Sequence, residues 1–252
     1  MTFWSDETMK KLLDPIVITL GSAVLGLACM FARFWLFQSG QDQKGLLIAA
    51  HPGNILAWVL TGLFAVLLAL CVYAKPPKLQ FRSNAISGTG SAFFAVCMAL
   101  LAWQFLSNVT APLVLIAGVL AAIAAICCGL LTVMRFSHKR PPLMLQLPML
   151  LALICLFLLN FQLWGAEPEH PRFFFSLISQ ASLMLSCYYR IAAVFEQRSP
   201  ATYLVFSCAG IFCGLAAAQD PHSGWAYTLL AFGFLLENLS AVSRRRVHHD
   251  AT

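Results

Sequence analysis

Long apolar runs dominate the chain, separated by short clusters of prolines and charges. Eight runs can be read: Pro15–Phe37, Gly53–Tyr73, Ala85–Leu106, Pro112–Met134, Leu143–Trp164, Arg172–Phe195, Thr202–Ala218 and Pro221–Val242. A bilayer core takes about 20 apolar residues per helix, and the runs match that length, the seventh being the shortest. The pattern predicts an all-α fold: a polytopic bundle of eight transmembrane helices, forming a single integral membrane domain over residues 1–252. The first run is too long for the apolar region of a signal peptide, and no small-residue cleavage site follows Phe37, so it reads as a retained helix. Residues 1–14 carry Phe3, Trp4, Met9, Leu12 and Leu13 among charges and are expected to lie along the membrane interface. Residues 243–252 form a basic tail.

Proline placement supports this map. Pro52, Pro112, Pro171 and Pro221 fall at the starts of even-numbered helices, where the first N–H groups have no intrahelical partner to lose. Pro76 and Pro77 close helix 2. Pro148 is the one proline expected inside a span, where it should bend helix 5 or begin its regular part.

Charge sets the orientation. With the N-terminus inside, the inner segments carry Lys10, Lys11, Lys75, Lys78, Arg82, Arg135, Lys139, Arg140, Arg190, Arg198 and Arg244–Arg246, which is 13 of the 16 basic residues. Only Arg33, Lys44 and Arg172 remain outside. Short loops obey the positive-inside rule best, so the bias places the chain in the cell membrane with both termini cytoplasmic. Composition agrees: 60% of residues are apolar and 10% charged, against about 25% charged in soluble domains. A soluble domain, a disulfide scaffold and a nucleic-acid-binding domain are thereby excluded. The net charge of +6 punctuates apolar runs and does not form a patch on a soluble surface.

Ionisable residues inside a bilayer are costly and are the first functional candidates. Glu237 in helix 8 and Arg190 near the inner end of helix 6 fall at similar depths. They pair if helices 6 and 8 touch; otherwise each reaches separately for the inner interface. Helix 6 also carries a polar stripe: Ser176, Ser179, Gln180, Ser186 and Arg190 share one face at about 100° per residue, with Ser182 at its edge. Such a face lines a substrate path in a carrier, or packs closely against neighbours in a plain bundle. Helix 4 has small residues at Gly118, Ala121, Ala122, Ala125 and Gly129, a spacing that predicts a central, closely packed helix.

Three histidines, His51, His170 and His222, sit at the outer mouths of helices 2, 6 and 8, with Glu167, Glu169 and Asp220 nearby. Imidazoles with carboxylates can hold a divalent metal or relay protons. No pair has a helical i, i+4 spacing, so a metal site depends on the fold, and interfacial loop residues are the plainer reading. The nine cysteines are spread over helices 1 to 7 without C-x-x-C spacing and read as small apolar packing residues. Gly88-Thr89-Gly90-Ser91 lacks the ending of a P-loop and follows no strand, so it reads as a tightly packed helix start. No haem, protease or hydrolase signature is present, and no cofactor is expected.

Arg244, Arg245 and Arg246 suit anionic lipid head groups, although an orientation signal accounts for them as well. The scarcity of intramembrane ionisable groups favours a non-catalytic membrane component, such as an accessory subunit, sensor or assembly factor, partnered by the bilayer and by another membrane subunit. The alternative is a carrier of a small solute or ion along the helix 6 face with Glu237 and Arg190. An intramembrane enzyme acting on lipid ranks third. A reporter fused after Thr252 should read as cytoplasmic; an external signal would overturn the eight-span, both-ends-inside topology.

Overall fold

The computed structural model describes residues 14–41, 47–48, 50–73, 83–139, 141–165, 170–196, 200–220 and 223–242. Eight long helices account for nearly all of them: α1 (Pro15–Ser39), α2 (Pro52–Tyr73), α3 (Ala85–Ser107), α4 (Pro112–Phe136), α5 (Leu147–Gly165), α6 (His170–Glu196), α7 (Pro200–Ala216) and α8 (Gly224–Val242). The chain is a multi-pass helical bundle. Among the described residues the only extended pairing is an isolated bridge between Gln41 and Leu47. On length and composition α1 to α5 and α7 suffice to cross a membrane. The other two, α6 and α8, are the helices that carry Arg190 and Glu237.

Local chemistry explains the helix ends. The Asp14 carboxylate accepts from the Ile16 N–H at 3.0 Å, and Pro15 opens α1. Asn84 and Ser87 form a reciprocal capping box at the start of α3. Pro112 opens α4, as expected of a residue that surrenders no helical hydrogen bond there. Pro148 does not kink a span: a 3-10 turn over Leu143–Gln146 precedes it, and the regular part of α5 starts at Leu147.

Helices α3 to α8 close a ring. Each packs on the next in chain order, and α8 returns to α3. The α1–α2 hairpin attaches outside, chiefly through α1 on α7. Short connections make successive helices antiparallel, so the even-numbered helices all begin at one end of the ring and finish at the other. The main core fills the ring with Phe94, Met98, Leu101, Leu153, Leu156, Leu183, Leu230 and Phe234. A second core joins the hairpin to the ring, where Phe64 stacks on Phe212 with centroids 4.1 Å apart.

The helix at the centre is α7, not α4. In α7 67% of the apolar span is buried, against 28% in α4. Ala117, Gly118, Ala121, Ala124 and Cys128 form a single buried face of α4, while Ile123, Ile126 and Leu130 are exposed. Ala122 and Ala125 are half-buried, and a Cβ at Gly129 would meet nothing within 4 Å. Small residues therefore let α4 lie close to α3 on one side without placing it in the middle. The nine cysteines are all free thiols and seven are buried, as packing residues should be.

Helices α3 and α8 approach closely at Gly90. A Cβ at Gly90 would stand 2.8 Å from the carbonyl oxygen of Gly233 and 3.1 Å from the Glu237 Cγ. Backbone cannot swing aside as a side-chain tip can, so Gly90→Ala should force the two helices apart. We expect a loss of about 1–3 kcal/mol, read as a lower melting temperature in detergent. Gly129→Ala, in open space, should instead be neutral or gain about 0.5–1 kcal/mol from helix propensity.

Candidate functional site

Glu237 is the junction of the ring's interior. It lies five residues before the end of α8 and is 1% exposed. One carboxylate oxygen pairs with the Arg135 guanidinium from the last turn of α4, and the other with the Arg190 guanidinium from α6. Arg135 also donates to the Ser87 carbonyl at 3.0 Å and to the Ser91 hydroxyl, both on α3. Four helices therefore meet at one carboxylate, about 8 Å inside the helix end at 1.5 Å per residue.

The chain prepares this meeting locally. His138 adopts a left-handed conformation (φ 54°) that ends α4, with the Lys139 N–H reaching back to the Met134 carbonyl at 2.9 Å. The same turn docks onto the entry to α3: Ser83 Oγ donates to the Lys139 carbonyl at 2.7 Å, and His138 Nδ1 lies 3.1 Å from the Ser83 carbonyl. Those contacts hold Arg135 beside Ser87 and Ser91. Gly90 then admits α8 close enough for Glu237 to reach it. Asn238 follows immediately and donates to Ser207 Oγ of α7 at 2.8 Å, fixing the rotation of α8.

The α6 stripe faces the ring interior over its whole length. Ser176, Ser179, Gln180 and Ser186 are fully buried, Ser182 is buried at the edge, and Arg190 is 9% exposed. Ser186 donates to the Ser182 carbonyl at 2.8 Å. Ser176 donates to the Asp220 carboxylate in the link to α8. Gln180 joins Asn160 of α5 and Tyr227 of α8 in a second polar knot. Gln180 and Arg190 are ten residues apart, so the knot and the charged junction stand about 15 Å from each other along α6. Leu183, Cys187, Leu153 and Leu156 fill the layer between them.

Arg135, Asn160, Tyr227, Tyr203 and Ser91 belong to this interior and do not stand out in the sequence. Arg135 precedes Lys139 and Arg140 and reads as one more loop charge, yet it is 3% exposed. Arg33, counted among the outer charges, is 4% exposed and lies over the rings of Phe37 and Phe175, 5.3 and 4.7 Å from their centroids. Cation–π contact with these rings, at the opposite end from the junction, makes it a structural residue.

The outer histidines do not form a described cluster. His51 caps its own turn: Nδ1 accepts from the Gly53 N–H at 3.1 Å, Nε2 lies 3.2 Å from Ser39 Oγ, and the ring meets Trp35 edge-on. His170 opens α6, but its side chain lies outside the described residues, as do His222, Glu167, Glu169 and Arg244–Arg246. Among the described residues no three His, Cys, Asp or Glu side chains gather as a metal would need. The Gly88–Ser91 stretch lies within α3 and packs on Phe136 and on α8. No known family model, curated protein or solved structure matches the chain.

Removing one partner of a buried ion pair leaves the other charge uncompensated, at a cost of about 3–5 kcal/mol. Glu237→Ala strands two guanidiniums and should lower the melting temperature in detergent accordingly. Converting Arg135 and Arg190 to Met in the same chain should recover most of the loss. Failure to recover would show that Glu237 acts through packing, not charge.

Proposed function

We propose that this multi-pass membrane protein is a carrier of a small solute, with the polar face of α6 as its path and the Arg135–Glu237–Arg190 junction as a gate at one end. The sequence alone favours a non-catalytic component because only two intramembrane ionisable residues stand out in it. The observation that shifts the reading is that the stripe of α6 meets polar groups of α5 and α8 at two depths inside a closed ring, and does not face lipid. Polar groups kept at membrane depth are expensive and ordinarily mark a pathway or a relay. The junction suits a gate: it ties the far ends of α4, α6 and α8 to the start of α3, so parting the ion pairs frees four helix ends together.

Orientation belongs to the same proposal. Setting aside the buried Arg135 and Arg190 leaves eleven inner basic residues (13 minus 2), and setting aside the buried Arg33 leaves two outer ones (3 minus 1). That bias supports a junction end toward the cytoplasm and a chain in the cell membrane with both termini inside. The residues at Arg244–Arg246 would then face anionic lipid of the inner leaflet.

Purification from native membranes in a mild detergent, followed by mass spectrometry, separates this reading from the component reading. A carrier should come alone or as copies of itself. A stoichiometric foreign membrane subunit would overturn the carrier reading and restore an accessory role.

A further inference from the structure

The polar knot halfway along α6 holds a mismatch that the charged junction does not explain. Asn160 Nδ2 donates to Gln180 Oε1 at 3.2 Å and to the Tyr227 hydroxyl at 2.7 Å, and that hydroxyl donates to Gln180 Oε1 at 3.3 Å. The oxygen of Gln180 is used twice. Among the described residues its amide nitrogen, on a fully buried side chain, has no hydrogen-bond partner, and neither has the hydroxyl of the adjacent, equally buried Ser179.

Reversing the amides does not remove the problem. If both Asn160 and Gln180 are turned over, the nitrogen of Gln180 donates into the knot and its oxygen becomes the idle end. Either way one end of a buried carboxamide, with a hydroxyl beside it, lacks a partner at a depth where lipid offers none. Gly214 of α7 brings that helix's backbone close to this point: a Cβ there would stand 2.9 Å from the Tyr227 carbonyl oxygen and 3.1 Å from Ser179 Oγ.

We propose that Asn160, Gln180 and Tyr227, with Ser179, form the solute-binding site, and that the site takes a small uncharged compound rich in hydrogen-bonding groups, a polyol or a carboxamide. The assignment of class follows from the side chains: two amides, a phenol and a hydroxyl, none carrying a formal charge. The interior cations, Arg135 and Arg190, pair with Glu237 about 15 Å away; the nearest carboxylate, Asp220, accepts from Ser176 one turn of α6 beyond the knot. An ion at the knot would meet no counter-charge among these four side chains, whereas hydroxyl or amide groups can match donors and acceptors in either amide orientation. This proposal rests on the carrier reading for its transport half and on the buried mismatch for its binding half.

Two measurements on the full chain test the halves separately. In mild detergent, melting is followed while xylitol or nicotinamide is titrated, with gluconate and choline as charged comparators. In proteoliposomes, uptake of the same four labelled probes is measured. We expect at least one neutral probe to raise the melting temperature saturably in the millimolar range and to enter at least tenfold faster than into protein-free vesicles, with gluconate and choline doing neither. Ser179→Ala leaves all three hydrogen bonds of the knot in place and should weaken binding and uptake several-fold. Gln180→Leu should abolish both. Binding that depends on Gln180 and Ser179 without uptake keeps the site and removes the carrier reading. Uptake indifferent to both substitutions keeps the carrier and overturns the site. Preference for a charged probe, or no response to either neutral one, also overturns the site.

Discussion

A single carboxylate shared by two guanidiniums organises the interior of this bundle. Taking any of the three charges out of water is unfavourable by several kcal/mol, and only mutual contact offsets it. Glu237 can meet Arg135 and Arg190 together only if α4, α6 and α8 finish at the same level and turn the right faces inward. That requirement fixes much else. The glycine contact between α3 and α8 brings Glu237 within reach. The turn at His138 aims Arg135. Asn238 sets the rotation of α8 against α7.

The interior is layered by chemistry along α6. Charges meet charges near one end, neutral hydrogen-bonding groups meet each other about 15 Å away, and leucine and cysteine side chains fill the layer between. A hydrogen-bonded network at membrane depth is worth little to folding on its own, because the unfolded helices also find partners in the bilayer. Under the carrier proposal, such layering would let a solute enter at one level while the other holds a seal.

Much of the architecture is legible in the sequence because lipid imposes a simple rule: a helix must be long and apolar, and its prolines must fall at its ends. Eight helices follow from that, and for Pro148 two roles, of which the structure shows the start of the regular part of α5. The inward face of α6 is legible too, since five polar residues at helical spacing in an apolar run have to find their partners inside the protein. Arg135 is not, because a basic residue four positions before Lys139 looks like a loop charge until the helix is seen to continue past it. Asn160 and Tyr227 are single polar residues in apolar runs, with no periodicity to mark them. The position of α4 eludes a sequence reading because small residues reveal how closely a neighbour approaches, and not how many neighbours there are. His51 shows the reverse hazard: a residue type with rich chemistry serves here to close a turn.

The order of the junction's residues along the chain has a consequence for how the protein is made. Both arginines leave the ribosome before the one glutamate they share, Arg135 by about a hundred residues. A nascent chain that has inserted α4 and α6 therefore carries two unbalanced cations until α8 arrives. Until then α4 and α6 cannot make the ion pairs that hold their ends together. Arrival of α8 then closes the ring and discharges the penalty in a single late step.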